Sequence, residues 1–239
     1  MHAGYHLTFD IDWAPDWSVR ETLTLLAEAG VKATFFVTHP SETIQEIAAA
    51  GHEVGIHPNF QAGSTQGGDP VAIVGALLSL VPRARVMRTH GLVQGTLLLR
   101  DVLRAYPQVQ YDLSLLTYRF PHSGWSDWHL GGTRMRRWNY VWEDDFAFDD
   151  PTQEWGLYRP TAAVDVLDFH PIHVSLNSRD ATRYERIKLH LGARPLTELD
   201  EAAAREARES QAGTADHLRA VLASASPWLS FEELLCVSG

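Results

Sequence analysis

Apolar and polar residues alternate strictly near the start of the chain, which predicts a β-strand over residues 5–12. Apolar side chains occupy one face of this strand, and the opposite face is polar and ends in two acidic residues, Asp10 and Asp12. Later segments rich in β-branched and aromatic residues have the composition of strands. We predict these further strands at 31–38, 52–57, 85–90, 109–116, 135–142 and 162–170.

Segments with helical spacing of apolar residues lie between the predicted strands. Residues 16–29 carry an apolar stripe, and Gly30 follows at a position where many helices end. Asp69 and Pro70 form a typical helix start, with a capping carboxylate followed by proline at the first helical position. We predict helices at 16–29, 41–50, 70–81, 96–105, 180–191 and 196–224.

Strands that alternate with helices are typical of a mostly parallel α/β sheet. The polar face of the first strand favours a distorted (β/α) barrel of about seven parallel strands, because burial of Asp10 and Asp12 under a helix would be costly. An open doubly wound sheet is the alternative. We expect one domain over residues 1–239, with 118–150 as long loops around one strand and 196–239 as a C-terminal helical extension.

The charge balance argues against one class of partner. Lys and Arg total 20 and Asp and Glu total 30, so the net charge is −10 and nucleic acid is not an expected partner. The single cysteine, Cys236, excludes an intrachain disulfide and a cysteine-based zinc site. Because we find no leader-like segment and no apolar run long enough to span a membrane, we expect a cytoplasmic protein.

The candidate chemistry is concentrated where the predicted strands end. Five such ends carry Asp, His or Arg, in the segments 8–12, 51–59, 88–90, 142–145 and 168–171. The carboxyl ends of parallel strands open onto one face of a barrel or α/β sheet. We therefore expect these side chains, which are distant in sequence, to meet at a single site.

The first of these ends contains two acidic residues, Asp10 and Asp12. On an extended strand, residues at this spacing point the same way and lie roughly 6–7 Å apart. Carboxylates that close need a cation, a proton or hydrogen-bond donors between them. A divalent metal bound by Asp12 would meet this need and leave Asp10 as a general base. The alternative is that both carboxylates cap the helix at 16–29.

Histidines at two other ends extend this metal-site hypothesis. His57 lies at the end of the strand predicted at 52–57 and is a ligand candidate. His52 faces the opposite side of the same strand, and we expect it to have a structural role. His90 follows the next strand and is either a third ligand or a histidine that is satisfied within its loop.

Other polar side chains at these ends suit proton transfer. Arg88 shares a strand face with His90 and could hydrogen-bond Asp10 and hold it ionised. Either His170, which precedes a proline, or His173 could be a general acid, and the other would then be structural.

Aromatic residues give a weaker signal for substrate binding. A group of tryptophans could form a wall on which a sugar ring stacks, or they could anchor the core and its loops. We expect at least three of the five to be core residues, and the group is Trp125, Trp128, Trp138, Trp142 and Trp155. Trp142 and Asn59 are the candidates for contact with substrate.

These motifs resemble those of the polysaccharide deacetylases of the NodB-homology type. The similarity spans about residues 5–175 and rests mainly on TFDID at 8–12, ATFFV at 33–37 and AGHEVGIH at 50–57. Arg88 and the FHP segment at 169–171 resemble the later motifs of that family. The resemblance implies a distorted barrel and a metal-dependent hydrolase that removes N- or O-acyl groups from sugars.

The resemblance also implies roles for individual residues. Asp10 corresponds to the catalytic base of the family, and Asp12 and His57 correspond to two metal ligands. Arg88 corresponds to the arginine that supports the base, and His170 corresponds to the acid. The usual second histidine ligand lies four residues after the first, where this chain has Gln61, and the third motif usually has proline where this chain has His90. We expect His90 to replace the missing ligand, with Asn59 as a poorer candidate.

The expected function is removal of an acyl group from an amino sugar or saccharide precursor, and we expect the acyl group to be N-acetyl. Asp10 would be the general base and His170 the general acid. One divalent metal ion is expected, and zinc is favoured over cobalt, nickel or iron. The competing hypotheses are an amidohydrolase of small non-sugar amides and a catalytically silent sugar-binding barrel, which the glutamine at position 61 would support.

Overall fold

The computed structural model describes residues 4–237 and contains one sheet. Within these residues the strands are β1 (Gly4–Asp10), β2 (Ala33–Val37), β3 (Glu53–Ile56), β4 (Val86–Met87), β5 (Tyr111–Leu116), β6 (Trp125–Leu130), β7 (Thr133–Tyr140), β8 (Trp142–Glu143) and β9 (Val164–Phe169). Every residue of β1 is buried, as expected for a parallel strand that is covered on both faces.

Helices connect most of these strands and cover the sheet. Within the same residues they are α1 (Asp16–Ala29), α2 (Thr43–Ala49), α3 (Pro70–Leu80), α4 (Thr96–Ala105), α5 (Asp144–Ala147), α6 (Pro171–Leu176), α7 (Thr182–Leu191), α8 (Glu201–Ala207), α9 (Thr214–Leu222) and α10 (Phe231–Cys236). Two 3-10 turns span His90–Leu92 and Leu196–Glu198. None of the helices between residues 4 and 237 combines the length and apolar character needed to cross a membrane.

Local sequence signals explain the boundaries of the first helices. α1 ends before Gly30, which has a φ of 67°, a left-handed conformation that glycine adopts without steric cost. The Asp69 side chain caps α3 by accepting a hydrogen bond from the Ala72 N–H at 2.9 Å, and Pro70 is the first helical residue. The predictions for these two helices, and for α4 at 96–105, are confirmed.

The strand order is β6-β7-β5-β4-β3-β2-β1-β9-β8. Neighbouring strands are parallel, except that β6 and β7 form an antiparallel pair. The predicted α/β class with a mostly parallel sheet is therefore confirmed. The predicted closed barrel is not, because the order has two ends, and the described residues form nine strands rather than about seven.

The two ends of this order nevertheless approach each other. Only Val141 separates β7, which pairs with β5, from β8, which pairs with β9. The Val141 N–H donates a hydrogen bond to the carbonyl of Val166 on β9 at 2.9 Å. One short stretch of chain thus contacts two strands that are far apart in the strand order.

Both faces of the sheet are buried. One face packs against helices and includes Phe9 and Phe35, whose rings stack with centroids 4.9 Å apart. The opposite face carries a second apolar cluster that includes Phe36, Trp138 and Tyr140. The neighbours Phe35 and Phe36 belong to different clusters because successive strand residues point to opposite faces.

The region 118–150 corrects the expectation of one strand within long loops. It forms β6, β7, β8 and α5. A two-residue turn, Gly131–Gly132, joins β6 to β7, and its φ angles of 57° and 82° are those that a tight hairpin requires. The glycine pair is a hairpin signal that the apolar pattern of the region obscured.

Helical content beyond residue 170 also differs from the prediction. The single helix expected over 196–224 is divided into a 3-10 turn, α8 and α9. Asp200 begins α8 by accepting hydrogen bonds from the N–H groups of Ala202 and Ala203, and Gly213 precedes α9. The strand predicted over 162–170 is present as β9, and Pro171 begins α6 directly after His170.

Candidate active site

Polar side chains from distant parts of the chain meet at the carboxyl edge of the sheet. Asp10 ends β1, His57 follows β3, Arg88 follows β4 and His170 follows β9. These strands are parallel, so their carboxyl ends lie at the same edge. The convergence expected from the sequence is present, and short distances link its members.

Asp12 reaches the site by a route that the sequence did not predict. β1 ends at Asp10, and Asp12 and Trp13 have φ angles of 46° and 57°, in the left-handed region. The Trp13 N–H donates to the Thr38 hydroxyl at 3.1 Å and ties this turn to the end of β2. The prediction that Asp10 and Asp12 share one extended face is wrong, although both carboxylates lie within 3.5 Å of His57 Nε2.

Asp12, His57 and His90 form a cluster of three possible metal ligands. Asp12 Oδ1 lies 3.1 Å from His57 Nε2 and 3.0 Å from His90 Nδ1, and the two nitrogens are 3.2 Å apart. Ligand atoms about 2.0–2.1 Å from a tetrahedral zinc ion lie about 3.3 Å from one another. The spacing and the donor set, one carboxylate and two imidazoles, therefore fit a divalent ion such as zinc.

Gln61 lies near this cluster, and a neighbouring loop limits its position. It lines the same cavity as His90 and Asp12. Gly91 has a φ of 56°, and a side chain there would collide with the Gln61 amide. The His90 ring packs edge-on against Trp13 and His57, with centroids 5.3 and 5.2 Å away, which holds the imidazole toward the cluster.

Hydrogen bonding governs the charge of the Asp12 carboxylate. Burial by itself would raise its pKa, but hydrogen bonds from His170, His57 and His90 outweigh burial and hold the pKa well below its usual range. Burial would lower the pKa of His57, and the neighbouring Asp10 and Asp12 charges raise it instead. Asp12 is thus an anion at neutral pH, as a metal ligand must be.

Arg88 lies between two buried carboxylates. Its guanidinium is fully buried, donates to Asp10 Oδ1 at 3.1 Å, and makes a shorter contact with Asp168 Oδ1. Its Nε donates to the Leu113 carbonyl at 2.9 Å, and its charge lies over the Tyr140 ring, 4.3 Å from the centroid. These contacts fix the guanidinium and raise the pKa of Arg88, since the adjacent carboxylates outweigh burial.

Asp168 lies in a segment expected at the site, but no role was predicted for it from the sequence. It is fully buried, and its Oδ1 accepts a hydrogen bond from the Thr8 hydroxyl at 2.7 Å. Burial raises the pKa of Asp168 to about 8, although Arg88 favours the ionised form. The two-residue spacing between Asp168 and His170 on β9, which points both side chains the same way, is the signal that could have found it.

His170 is held by a second buried acid, Asp144. His170 Nδ1–H donates to Asp144 Oδ1 at 2.7 Å, and the His170 backbone N–H donates to Asp144 Oδ2 at 2.9 Å. Its Nε2 is free to face the cluster and lies 3.5 Å from Asp12 Oδ2. Burial would lower the pKa of His170, but the Asp144 charge and the hydrogen bonds to Asp12 and Asp144 raise it well above its usual range. The pairing of Asp144 with His170 was not predicted, because only the folded chain brings the two residues together.

His173, the other candidate for the acid, has different surroundings. It lies on α6, and its Nδ1 is 3.2 Å from the Ser178 hydroxyl. Its ring packs edge-on against Tyr184, with centroids 4.9 Å apart. Burial lowers the pKa of His173, so it is neutral where His170 carries a proton. The geometry therefore favours His170 for proton donation.

A cavity of about 790 Å³ opens above the cluster and reaches α7. Asn59 lines this cavity, and its side-chain oxygen accepts from the Gln61 N–H at 2.9 Å. Trp142, the second candidate for substrate contact, does not line it. Trp142 is 5% exposed, stacks on His217 with centroids 4.6 Å apart, and borders a separate cavity of about 400 Å³. Its placement is that of a core residue.

The fold and the site together have the features of a hydrolase: a carboxylate and a histidine with fixed partners flank a cluster of ligands at the open edge of a parallel sheet. A family model described as WbmS-like polysaccharide deacetylase matches residues 7–188. The chain belongs to this family, which confirms the resemblance seen in its motifs. The protein is accordingly a hydrolase of carbon–nitrogen bonds other than peptide bonds.

Two solved structures are similar to this chain. One is a candidate polysaccharide deacetylase, WbmS, from Bordetella bronchiseptica, described as involved in O-antigen biosynthesis. It is 34% identical, with 93% of this chain and 91% of that chain covered and a TM-score of 0.74. The other is the catalytic domain of a peptidoglycan N-acetylglucosamine deacetylase from Eubacterium rectale, 16% identical, with 97% and 89% covered and a TM-score of 0.48. No curated protein matches the chain.

Proposed function

We propose that this protein is a metal-dependent deacetylase that removes an N-acetyl group from an amino sugar within a saccharide or its precursor. The observation that supports this most strongly is the meeting of Asp12, His57 and His90, with three donor atoms 3.0–3.2 Å apart. Asp10 and His170 flank these donors from two sides, each within 3.5 Å of a cluster atom.

Asp12, His57 and His90 would hold one divalent ion, with zinc first and cobalt, nickel or iron as alternatives. Such an ion supplies Lewis acidity, which polarises an acyl carbonyl and makes water a stronger acid. The three residues would leave room for substrate and water, because a catalytic site of this kind uses three protein ligands and keeps a further position open. The His90 imidazole takes the ligand role that Gln61 cannot fill.

Asp10 is the proposed general base. Arg88 donates to one oxygen of this carboxylate at 3.1 Å and holds it beside the cluster, where it can accept the proton of the attacking water. The same contact orients one carboxylate oxygen, while the other faces His57 at 3.5 Å. Asp10 is thereby held beside the ligand cluster without belonging to it.

His170 is the proposed general acid. Asp144 keeps it protonated and leaves Nε2–H as the proton donor toward the cavity. As the C–O bond forms and the amide C–N bond breaks, this proton passes to the departing amine, and the products are acetate and the free amino sugar. Amine departure without a proton is unfavourable, so the acid is needed for amides more than for esters.

The substrate class rests on family membership and on one relative. The family is that of polysaccharide deacetylases, and the relative from Bordetella bronchiseptica is described as involved in O-antigen biosynthesis. We therefore favour a saccharide that belongs to a surface polysaccharide as the substrate, in preference to a small non-sugar amide. A binding protein without catalysis is disfavoured because the base and the acid each have a buried partner of opposite charge.

The test is acetate release from N-acetylated saccharides by the purified protein supplied with zinc, together with analysis of bound metal. Asp10→Asn should lower kcat by about 10²–10⁴-fold while metal binding persists, since Asp10 is the base and not a ligand. Asp112→Asn is the matched control, because Asp112 is also a buried aspartate paired with an arginine, Arg137, outside the site. Retained turnover in Asp10→Asn would refute the assignment of the base. If the wild type neither binds a divalent ion nor releases acetate, the proposed function is wrong.

A further inference from the structure

Lys188 on α7 lines the cavity that contains Asp12, His90 and His170. Its side chain is exposed, and its ammonium lies over the Tyr184 ring, 4.3 Å from the centroid. In the described part of the chain, no carboxylate lies within 4.0 Å of this ammonium. A cation that faces the active-site cavity is thus held by an aromatic ring and not by an acid.

This arrangement is unusual in an acidic chain. The net charge is −10, and Lys188 is one of only two lysines. The other, Lys32, donates to the Ala50 carbonyl at 2.6 Å, outside the cavity. The exposed Lys188 ammonium is therefore available to an anionic group on a ligand in the cavity.

The charges within the cavity are separated. The acidic groups lie at the end near the ligand cluster, where Asp12 contacts three histidines and Asp145 clusters with Glu143 and His170. Lys188 lies on the wall formed by α7 and the segment that follows it, beside Tyr184. A ligand in this cavity would therefore meet acids and proposed metal ligands on one part of the wall and the Lys188 ammonium on the part formed by α7.

We infer that the substrate is an anionic acylated sugar, with a carboxylate or a phosphate that Lys188 binds while the acetamido group lies at the Asp12–His57–His90 cluster. The inference rests on the proposed function and adds the charge of the substrate to it. Tyr184 positions the ammonium, because its ring holds the charge at the wall without competing for the ammonium hydrogens. Lys188 is therefore a specificity residue and takes no part in bond breaking.

The test compares three probes: neutral N-acetylglucosamine, its 6-phosphate, and the corresponding uronic acid. Binding to the zinc-loaded wild type and two variants is measured by isothermal titration calorimetry, and acetate release is followed in parallel. One exposed ion pair should favour an anionic probe over the neutral sugar by about 2- to 5-fold at low salt. The 6-phosphate and the uronic acid separate the two sources of negative charge.

Lys188→Met should abolish this preference, and Lys32→Met, the matched control, should retain it. The preference in the wild type should also shrink as ionic strength rises from about 0.01 M to about 1 M, because the contact is exposed and screened. The inference is overturned if the wild type shows no preference for the anionic probes, or binds none of the three probes. It is also overturned if the preference for the anionic probes survives in Lys188→Met. Acetate release without any preference for the anions would leave the deacetylase proposal standing and remove only Lys188 from it.

Discussion

Arg88→Met should destabilise the protein by about 4 kcal/mol, because it removes the positive charge between two buried carboxylates. Arg88 has no exposed surface and contacts Asp10 and Asp168, while its Nε satisfies the Leu113 carbonyl. Methionine is flexible and apolar and can occupy much of the same space. The substitution therefore isolates the loss of charge and hydrogen bonding from the loss of volume.

This magnitude follows from the loss of one partner of a buried ion pair, which typically costs about 3–5 kcal/mol. The orphaned Leu113 carbonyl adds to the cost, and methionine packing offsets part of it.

The cost also depends on pH. Burial already raises the pKa of Asp168 to about 8 in the wild type, and loss of Arg88 should raise it further. A carboxyl whose folded pKa exceeds its unfolded pKa contributes its full stability below the unfolded pKa, and this is lost as pH rises toward the folded value. Up to about pH 8 the wild type and the variant lose this contribution equally, and above that pH only the variant continues to lose it. The destabilisation by Arg88→Met should therefore be larger at pH 9 than at pH 5.

Urea denaturation followed by circular dichroism at both pH values measures this difference. Arg137→Met is the control: Arg137 pairs with buried Asp112 at 2.6 Å, so its loss should also cost stability while the kcat/KM of deacetylation is preserved. In Arg88→Met, by contrast, kcat/KM should fall because Asp10 loses its partner. A loss of stability below about 1 kcal/mol, or an equal loss at pH 5 and pH 9, would refute the reasoning.

Three further predictions address the ligands, the acid and the sheet. His90→Ala should lose bound zinc, whereas Gln61→Ala should retain it, as measured by elemental analysis; the reverse result would reassign the third ligand. Asp144→Asn should lower kcat by about 10–100-fold and move the alkaline limb of the pH–rate profile to lower pH, because the acid then loses its proton more readily. An unchanged alkaline limb would contradict that role. Gly55→Ala should lower the free energy of unfolding by about 1–3 kcal/mol, because the added Cβ would lie 2.7 Å from an aromatic ring and from a backbone oxygen. Gly68→Ala is the control: its Cβ would have no atom within 4 Å, so thermal melts should show almost no change in stability.

The sequence predicted the parts of the fold that depend on local signals. α1 and α3 have capping residues that mark their limits, and the apolar alternation identified β1. Sheet order was less accessible, because the pairing of β8 with β9 joins residues that no local pattern relates. The β6–β7 hairpin was not predicted, although Gly131–Gly132 is a local turn signal, because the prediction for this region relied on its tryptophans.

The residues of the candidate site likewise divide into those that local sequence signals identified and those whose role depends on the fold. Asp10, His57 and His90 were found because each ends a predicted strand, and parallel strands share an edge. Asp144 and Asp168 lie in segments expected at the site, but their roles were not predicted, because these depend on partners, His170 and Arg88, that only the fold supplies. Residues that would touch the substrate or ion can thus be proposed from strand ends, but the buried acids that set their charge require the three-dimensional arrangement.

The left-handed turn at Asp12 restricts which substitutions are informative at this position. Most side chains with a Cβ avoid a positive φ, whereas asparagine and aspartate tolerate it. Replacing Asp12 with alanine or valine would therefore disturb the loop geometry as well as the oxygen donor, and any loss of activity would have two causes. Asparagine suits the backbone conformation and replaces one carboxylate oxygen, with its charge, by an amide nitrogen, so it is the substitution that separates loop architecture from ion coordination.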